Sequence, residues 1–85
     1  MTSAISSEQV RAARALLRWE QRQLAAASGV SLPSIKRLET SPGLLGAQLR
    51  TLAAIRAALE SAGVEFIAEN GGGAGVRLRK LGPAT

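Results

Sequence analysis

The chain has 85 residues, of which 46% are hydrophobic, and this is enough for one small domain with a modest core. It contains no Cys and no His, which excludes a disulfide framework, a thiolate metal site and the usual base at neutral pH. Eleven Lys and Arg against six acidic residues give a net charge of +5, which favours a polyanionic partner. The longest uncharged run, residues 23–35, is too short to span a membrane. We therefore expect a cytoplasmic protein with no cofactor and no small-molecule substrate.

The first helix is predicted to begin after Ser6, and residues 1–5 are predicted to form a flexible arm. Ser6 and Gln9 have the spacing of a capping box, in which each side chain accepts a hydrogen bond from the backbone of the other residue. The helix extends to about Arg18. Apolar residues recur on one face, and a second face carries three arginines: Arg11, Arg14 and Arg18.

The stretch from 21 to 39 predicts two short helices joined by a tight turn. Gly29 can adopt the positive φ that ends the first helix, Ser31 can cap the second, and Pro33 suits its first turn. The second helix buries Ile35 and Leu38 and leaves polar side chains exposed. Helix, glycine turn and helix are typical of a helix-turn-helix, and residues 11–37 carry six Lys and Arg against one Glu. The alternative is that these cations form an ordinary solvated surface that is basic but binds no polyanion.

A fourth helix is predicted from about Ala47 to Ala62, with Gly63 ending it. Its predicted buried stripe consists of Leu49, Leu52, Ala53, Ile55 and Leu59. Residues 64–67 and 76–79 alternate in polarity on either side of a glycine-rich connection, which predicts a β-hairpin. We expect a mainly α fold with a helical domain at 6–63 and a C-terminal hairpin at 64–81.

The run Q-L-A-A-A-S-G-V-S-L-P-S-I-K-R-L-E, which begins at Gln23, resembles the XRE family of bacterial and phage regulators. The similarity covers roughly residues 8–67, and the ending N-G-G-G-A-G-V-R-L-R-K resembles the tail of small stand-alone members. The resemblance implies a four-helix lambda-repressor-like fold and a sequence-specific regulator of transcription that binds double-stranded DNA. The chain departs from the family pattern in two ways: Glu20 replaces a capping hydroxyl, and Leu32 and Pro33 replace polar base-reading groups.

The resemblance also implies which residues contact DNA. Gln21 would bind a backbone phosphate, and the helix at 32–38 would enter the major groove with Lys36 and Arg37 on guanines or phosphates. Leu32 and Pro33 would pack on thymine methyl groups. The remaining predicted contacts are Arg14, Arg18, Arg22, Ser31 and Ser34.

A single unit of this size reads few base pairs, so we expect a homodimer. The hairpin is predicted to pack on the fourth helix and to pair with a second chain through Val64, Phe66, Ile67, Val76 and Leu78. The alternative is dimerisation through the fourth helix or only on DNA. A second functional class is a protein-interaction module, such as an antitoxin or an anti-activator. An enzyme is the weakest interpretation, because the six Glu residues show no paired acid and base.

Overall fold

The computed structural model describes residues 4–80. Within this range the helices and strands follow in the order α1 Ser7–Leu17, α2 Gln21–Ser28, α3 Leu32–Thr40, α4 Leu49–Ser61, β1 Val64–Ile67 and β2 Gly75–Leu78. The predicted mainly α class with a C-terminal hairpin is therefore confirmed. In residues 4–80, no helix is both long enough and apolar enough to cross a membrane.

The start of α1 is fixed by its cap and by the residue before the cap. The Ser6 hydroxyl accepts from the Gln9 backbone N–H at 3.0 Å, and Gln9 Oε1 accepts from the Ser6 N–H at 2.9 Å, so the predicted capping box is confirmed. Ile5 is buried in the core, and its carbonyl accepts from the Leu45 N–H at 3.0 Å. The predicted arm is therefore wrong at Ile5, and residues 1–3 of that prediction lie outside the described range.

The core is a single cluster to which every helix and β1 contribute. Its buried apolar members are Ile5, Val10, Ala13, Leu24, Ile35, Leu38, Leu45, Ile55, Ala58, Leu59 and Val64. Two residues of the predicted stripe on α4 lie elsewhere: Leu49 is 72% exposed, and Ala53 is exposed. Leu49 precedes Ile55 by six residues, about one and two-thirds turns, so the two side chains leave the helix in different directions.

The hairpin packs against α1 and α4. Its strands are antiparallel, with Val64 opposite Leu78, Phe66 opposite Val76, and Ile67 opposite Gly75. The Gln9 amide donates to the Gly75 carbonyl at 3.1 Å, which ties the second strand to α1.

The predicted dimer contacts of the hairpin need a correction. Val64 is fully buried in the core of its own chain, so its side chain cannot contact a partner. Phe66 and Val76 also pack against this core, because alternate residues of a strand point to the same face. Ile67 is partly buried and Leu78 is 50% exposed, so these two retain surface that a partner can reach.

Candidate nucleic-acid interface

The turn between α2 and α3 has the geometry that its sequence predicts. Gly29 has φ +77°, and its N–H donates to the Ala25 carbonyl at 2.9 Å. No atom lies within 4 Å of the position where a Cβ would stand, so the requirement for glycine comes from the backbone conformation alone. The Ser31 hydroxyl then caps α3 by accepting from the Ser34 N–H at 3.3 Å. The turn therefore fixes the direction in which α3 leaves α2.

The helix α3 has one anchored face and one free face. Ile35, Leu38 and Glu39 are buried, whereas Lys36 and Arg37 are exposed. The other predicted contacts at the start of α3 are divided: Ser31 and Pro33 are exposed, and Leu32 and Ser34 are partly buried. The predicted recognition residues therefore occupy one element that is held in place from behind.

Ion pairs divide the cations of this protein into two groups. Within residues 4–80, five of the Glu side chains pair with arginines, as Glu8–Arg11, Glu39–Arg14, Glu20–Arg22, Glu60–Arg56 and Glu65–Arg77. The cations left without a carboxylate partner in this range are Arg18, Lys36, Arg37, Arg50, Arg79 and Lys80. Half of them lie on α3 and in the first turn of α4. These three give that end of the molecule a positive charge that the chain itself does not neutralise.

A cleft of about 640 Å³ lies between α3 and the start of α4. Ser34 and Arg37 line one side of it, and Gln48 and Thr51 line the other. Gln48 is the N-cap of α4 but makes no capping hydrogen bond with its side chain. The Thr51 N–H donates to the Gln48 carbonyl at 2.9 Å, so the N–H groups of Leu49 and Arg50 are left for another acceptor. These four polar side chains continue the exposed basic face of α3 toward α4, above a floor that includes Leu38 and Leu45.

Behind α3, a buried network holds its C-terminal end. The Glu39 side chain is 4% exposed and accepts from Arg14 Nε at 2.7 Å and from Arg14 Nη2 at 2.6 Å. The Gln21 amide donates to the same carboxylate at 3.1 Å, and Arg14 Nη1 donates to the Trp19 carbonyl at 2.9 Å. The network therefore joins α1, the turn after it, α2 and α3 through one carboxylate.

This network changes the interpretation of two predicted DNA contacts. Three of the five N–H groups of Arg14 bond within the protein, its charge is paired with the buried Glu39, and its side chain is only 18% exposed, so Arg14 positions α3 and is poorly placed to meet a phosphate. The prediction of Arg14 as a DNA contact is therefore corrected. Gln21 uses one amide proton on Glu39 and retains the other for a further acceptor. Sequence reasoning missed Glu39, because its arginine lies 25 residues away in the chain and no local pattern links the two.

The remaining predicted cations, Arg18 and Arg22, lie on either side of the turn between α1 and α2. The Glu20 N–H donates to Gln23 Oε1 at 2.7 Å, and the Glu20 carboxylate accepts from Arg22 Nε at 3.0 Å. Both side chains of this pair are more than two-thirds exposed, so water screens the attraction and an incoming phosphate can compete for Arg22. Arg18 is exposed at the end of α1, where its φ of +57° turns the chain toward α2.

Among residues 4–80, no group of three or more His, Cys, Asp or Glu residues is placed to hold a metal ion. The chain matches no model of a known protein family, and no curated protein matches it, so the resemblance to the XRE regulators stays a prediction.

Proposed function

We propose that this protein is a sequence-specific regulator of transcription that binds double-stranded DNA by inserting α3 into the major groove. The observation that carries the proposal is the division of α3 into two faces. Ile35, Leu38 and Glu39 fix one face, and Lys36 and Arg37 stand exposed on the other without a carboxylate partner in residues 4–80. A rigid helix with unpaired cations on its outer face fits the width of the major groove and the acceptors of guanine.

Each group in the proposed interface has a distinct task. Arg37 and Lys36 bind guanine N7 and O6 or adjacent phosphates, and Pro33 offers an apolar contact to a thymine methyl group. The second amide proton of Gln21 and the free N–H groups at the start of α2 bind a backbone phosphate, which sets the register of the protein on the duplex. Arg18 and Arg22 add attraction that does not depend on sequence.

In this proposal the protein acts in the cytoplasm, where it binds the nucleoid as a homodimer that reads two half-sites. A helix-turn-helix covers only a few base pairs, and two copies related by a two-fold axis double the sequence that is read. If the chain binds no DNA, the second candidate function is a protein-interaction module. In that case the same exposed face of α3 would bind an acidic protein.

The test begins with selection of DNA from a random pool, followed by titration of the selected site at several salt concentrations. The variants are Lys36→Ala and Arg37→Ala, and the control is Lys80→Ala, which removes the same charge beyond the end of β2. A good base contact is worth about 1–3 kcal/mol, so at least one α3 variant should bind about 5- to 150-fold more weakly and with relaxed preference. The control should change affinity much less.

Two results would contradict the proposal. One is a pool from which no sequence is enriched. The other is a pair of α3 variants that bind the selected site as the Lys80→Ala control does, which would mean that α3 is not the reading helix.

A further inference from the structure

An apolar groove lies on the side of the molecule formed by α4, the end of α2 and the turn before α2. Its volume is about 500 Å³. Its lining consists of Trp19, Ala27, Ser28, Ala54, Ala57, Ala58, Ser61 and Ala62. Beside the groove, α4 exposes Leu49, Ala53 and Ala57, which lie at successive helical turns. A solvent-facing helix normally carries charged side chains on this face, so this apolar face is one that a partner can cover.

We propose that the partner is a second copy of this chain, whose α4 packs antiparallel on the same face to form the homodimer. The inference deepens the proposed function, which requires two copies but does not say which surface joins them. A two-fold interface must be self-complementary, because the same residues stand on both sides of it. The charges on α4 meet this requirement.

Arg50 and Glu60 lie five residues before and five residues after position 55, and Ala53 and Ala57 lie two residues to either side of it. A two-fold axis at the height of this position therefore brings Arg50 near the partner's Glu60, and Ala53 near the partner's Ala57. The same pairs occur twice by symmetry. A parallel arrangement would instead place Arg50 beside its own copy and Glu60 beside its own copy, and like charges repel. Charge thus selects the antiparallel arrangement.

Both charged groups are available for this contact. Arg50 is exposed and has no carboxylate partner within residues 4–80. Glu60 is 42% exposed, and the ion pair with Arg56 on its own helix uses only its Oε2 atom. The small side chains between these charges allow the two helix axes to approach to the lower end of the usual range, about 8 Å. Trp19 and Ala27, on the opposite wall of the groove, offer the partner's helix further apolar surface.

The hairpin is less suited to the same task. Its inner face is already packed on the core of its own chain. Its second strand and the residue pair after it carry three cations, Arg77, Arg79 and Lys80. Pairing this edge with itself in an antiparallel register places cations opposite cations, which disfavours the dimer.

The first test is the mass of the protein in solution, measured by sedimentation equilibrium at micromolar concentration without DNA. Ala57→Glu places a charge in the middle of the proposed interface, and Leu78→Glu places the same charge on the exposed leucine of the hairpin. We expect the parent chain and Leu78→Glu to be dimers, and Ala57→Glu to have a dimer dissociation constant raised by at least about tenfold. Circular dichroism checks that all three are folded.

A parent chain that stays monomeric at high micromolar concentration would overturn the inference. A dimer that Leu78→Glu dissociates and Ala57→Glu does not would overturn it in favour of the hairpin. Neither measurement contains DNA. Loss of this dimer would therefore leave the DNA-binding proposal standing, and absence of DNA binding would leave the measured mass valid.

The second test measures the register, and it uses the absence of Cys from the chain. Ala53→Cys and Ala57→Cys chains are oxidised separately and as a mixture. The proposed axis places these two positions opposite each other, within the short Cα separation that a disulfide requires. We expect more cross-linked dimer from the mixture than from either variant alone. A dimer that cross-links no better in the mixture would show that α4 does not pack in this register.

Discussion

The α2–α3 unit and the hairpin use the same charged residue types in opposite ways. In the α2–α3 unit the carboxylate of Glu39 is buried in its pair with Arg14 of α1, and Lys36 and Arg37 have no carboxylate partner within residues 4–80. Arg22 has only an exposed partner, Glu20. In the hairpin the ion pair, Arg77–Glu65, lies on the surface, where the two strands neutralise part of each other's charge. The comparison shows that the position of the carboxylates, more than the number of cations, decides which basic surface is available to a polyanion.

The largest expected effect comes from breaking the buried ion pair. Arg14→Ala leaves the Glu39 carboxylate buried without its cation, and such losses cost about 3–5 kcal/mol. Arg14 retains some exposure, so we expect the free energy of unfolding to fall by about 3 kcal/mol, measured by urea denaturation followed by circular dichroism. The matched control is Arg77→Ala, which breaks an exposed pair and should cost less than about 1 kcal/mol. Equal losses in the two variants would show that burial of the first pair contributes nothing.

A second comparison concerns the glycines of the two connections. Gly29 has a φ of +77°, and an added side chain at this position would strain the backbone by about 1–2 kcal/mol. We expect Gly29→Ala to lower stability by about this amount, and Gly29→Val to lower it further because its Cβ is branched. Gly73, in the connection between the strands, has no positive φ, and no atom lies within 4 Å of its Cβ position. Gly73→Ala should therefore leave stability unchanged or raise it slightly.

Thermal unfolding of these glycine variants measures the difference between the two connections. If Gly29→Ala and Gly73→Ala melted at the same temperature, the left-handed conformation of Gly29 would not be the reason for its presence in the turn.

The features that the sequence predicted correctly are local. The capping box at Ser6, the glycine turn at Gly29 and the two strands each depend on residues a few positions apart, so a short window of sequence contains the whole physical cause. The exposed cations of α3 belong to the same group, because the period of the helix places them opposite Ile35 and Leu38.

The features that the sequence did not predict depend on distant parts of the chain. The Ile5 carbonyl accepts a hydrogen bond from the Leu45 N–H, and Arg14 forms an ion pair with Glu39, which lies 25 residues away in the chain. Val64 is buried because β1 packs on α4 and α1, which its own alternation cannot show. For the candidate site, the exposed face of α3 could therefore be predicted from the sequence. The Arg14–Glu39–Gln21 network that holds the buried face could not.

The cations of the two regions should also differ in their effect on DNA binding. Each phosphate that a cation neutralises steepens the fall of log affinity with log salt by about 0.9. We expect Arg22→Gln, at the start of α2, to make this slope shallower by about 0.9, the value for one phosphate contact. Arg79→Gln, at the end of the hairpin, should leave the slope unchanged. Anisotropy titrations of one DNA site between low and physiological salt measure both slopes, and identical changes would show that DNA extends over the hairpin as well.

The smallest expected effect concerns the contact that ties the start of α1 to the loop before α4. The Glu8 carboxylate accepts from the Gly43 N–H at 3.1 Å, and Arg11 lies beside it. Hydrogen bonds from the backbone N–H groups of Glu8 and Gly43 hold the pKa of the Glu8 carboxyl below its ordinary value, because they stabilise the charged form.

A lowered pKa in the folded protein means that the unfolded chain takes up this proton first as the pH falls. The contribution of Glu8 to stability is therefore present above the ordinary pKa of a glutamate, about 4.3, and is lost as the pH falls through the lower folded value. We expect Glu8→Gln to be slightly less stable than the parent at pH 7, with the difference shrinking toward pH 3, as measured by urea denaturation at each pH. Glu69→Gln, on an exposed residue after β1, removes the same charge without this contact. A difference that stayed constant with pH, or that Glu69→Gln reproduced, would mean that the Glu8–Gly43 contact does not hold the loop against α1.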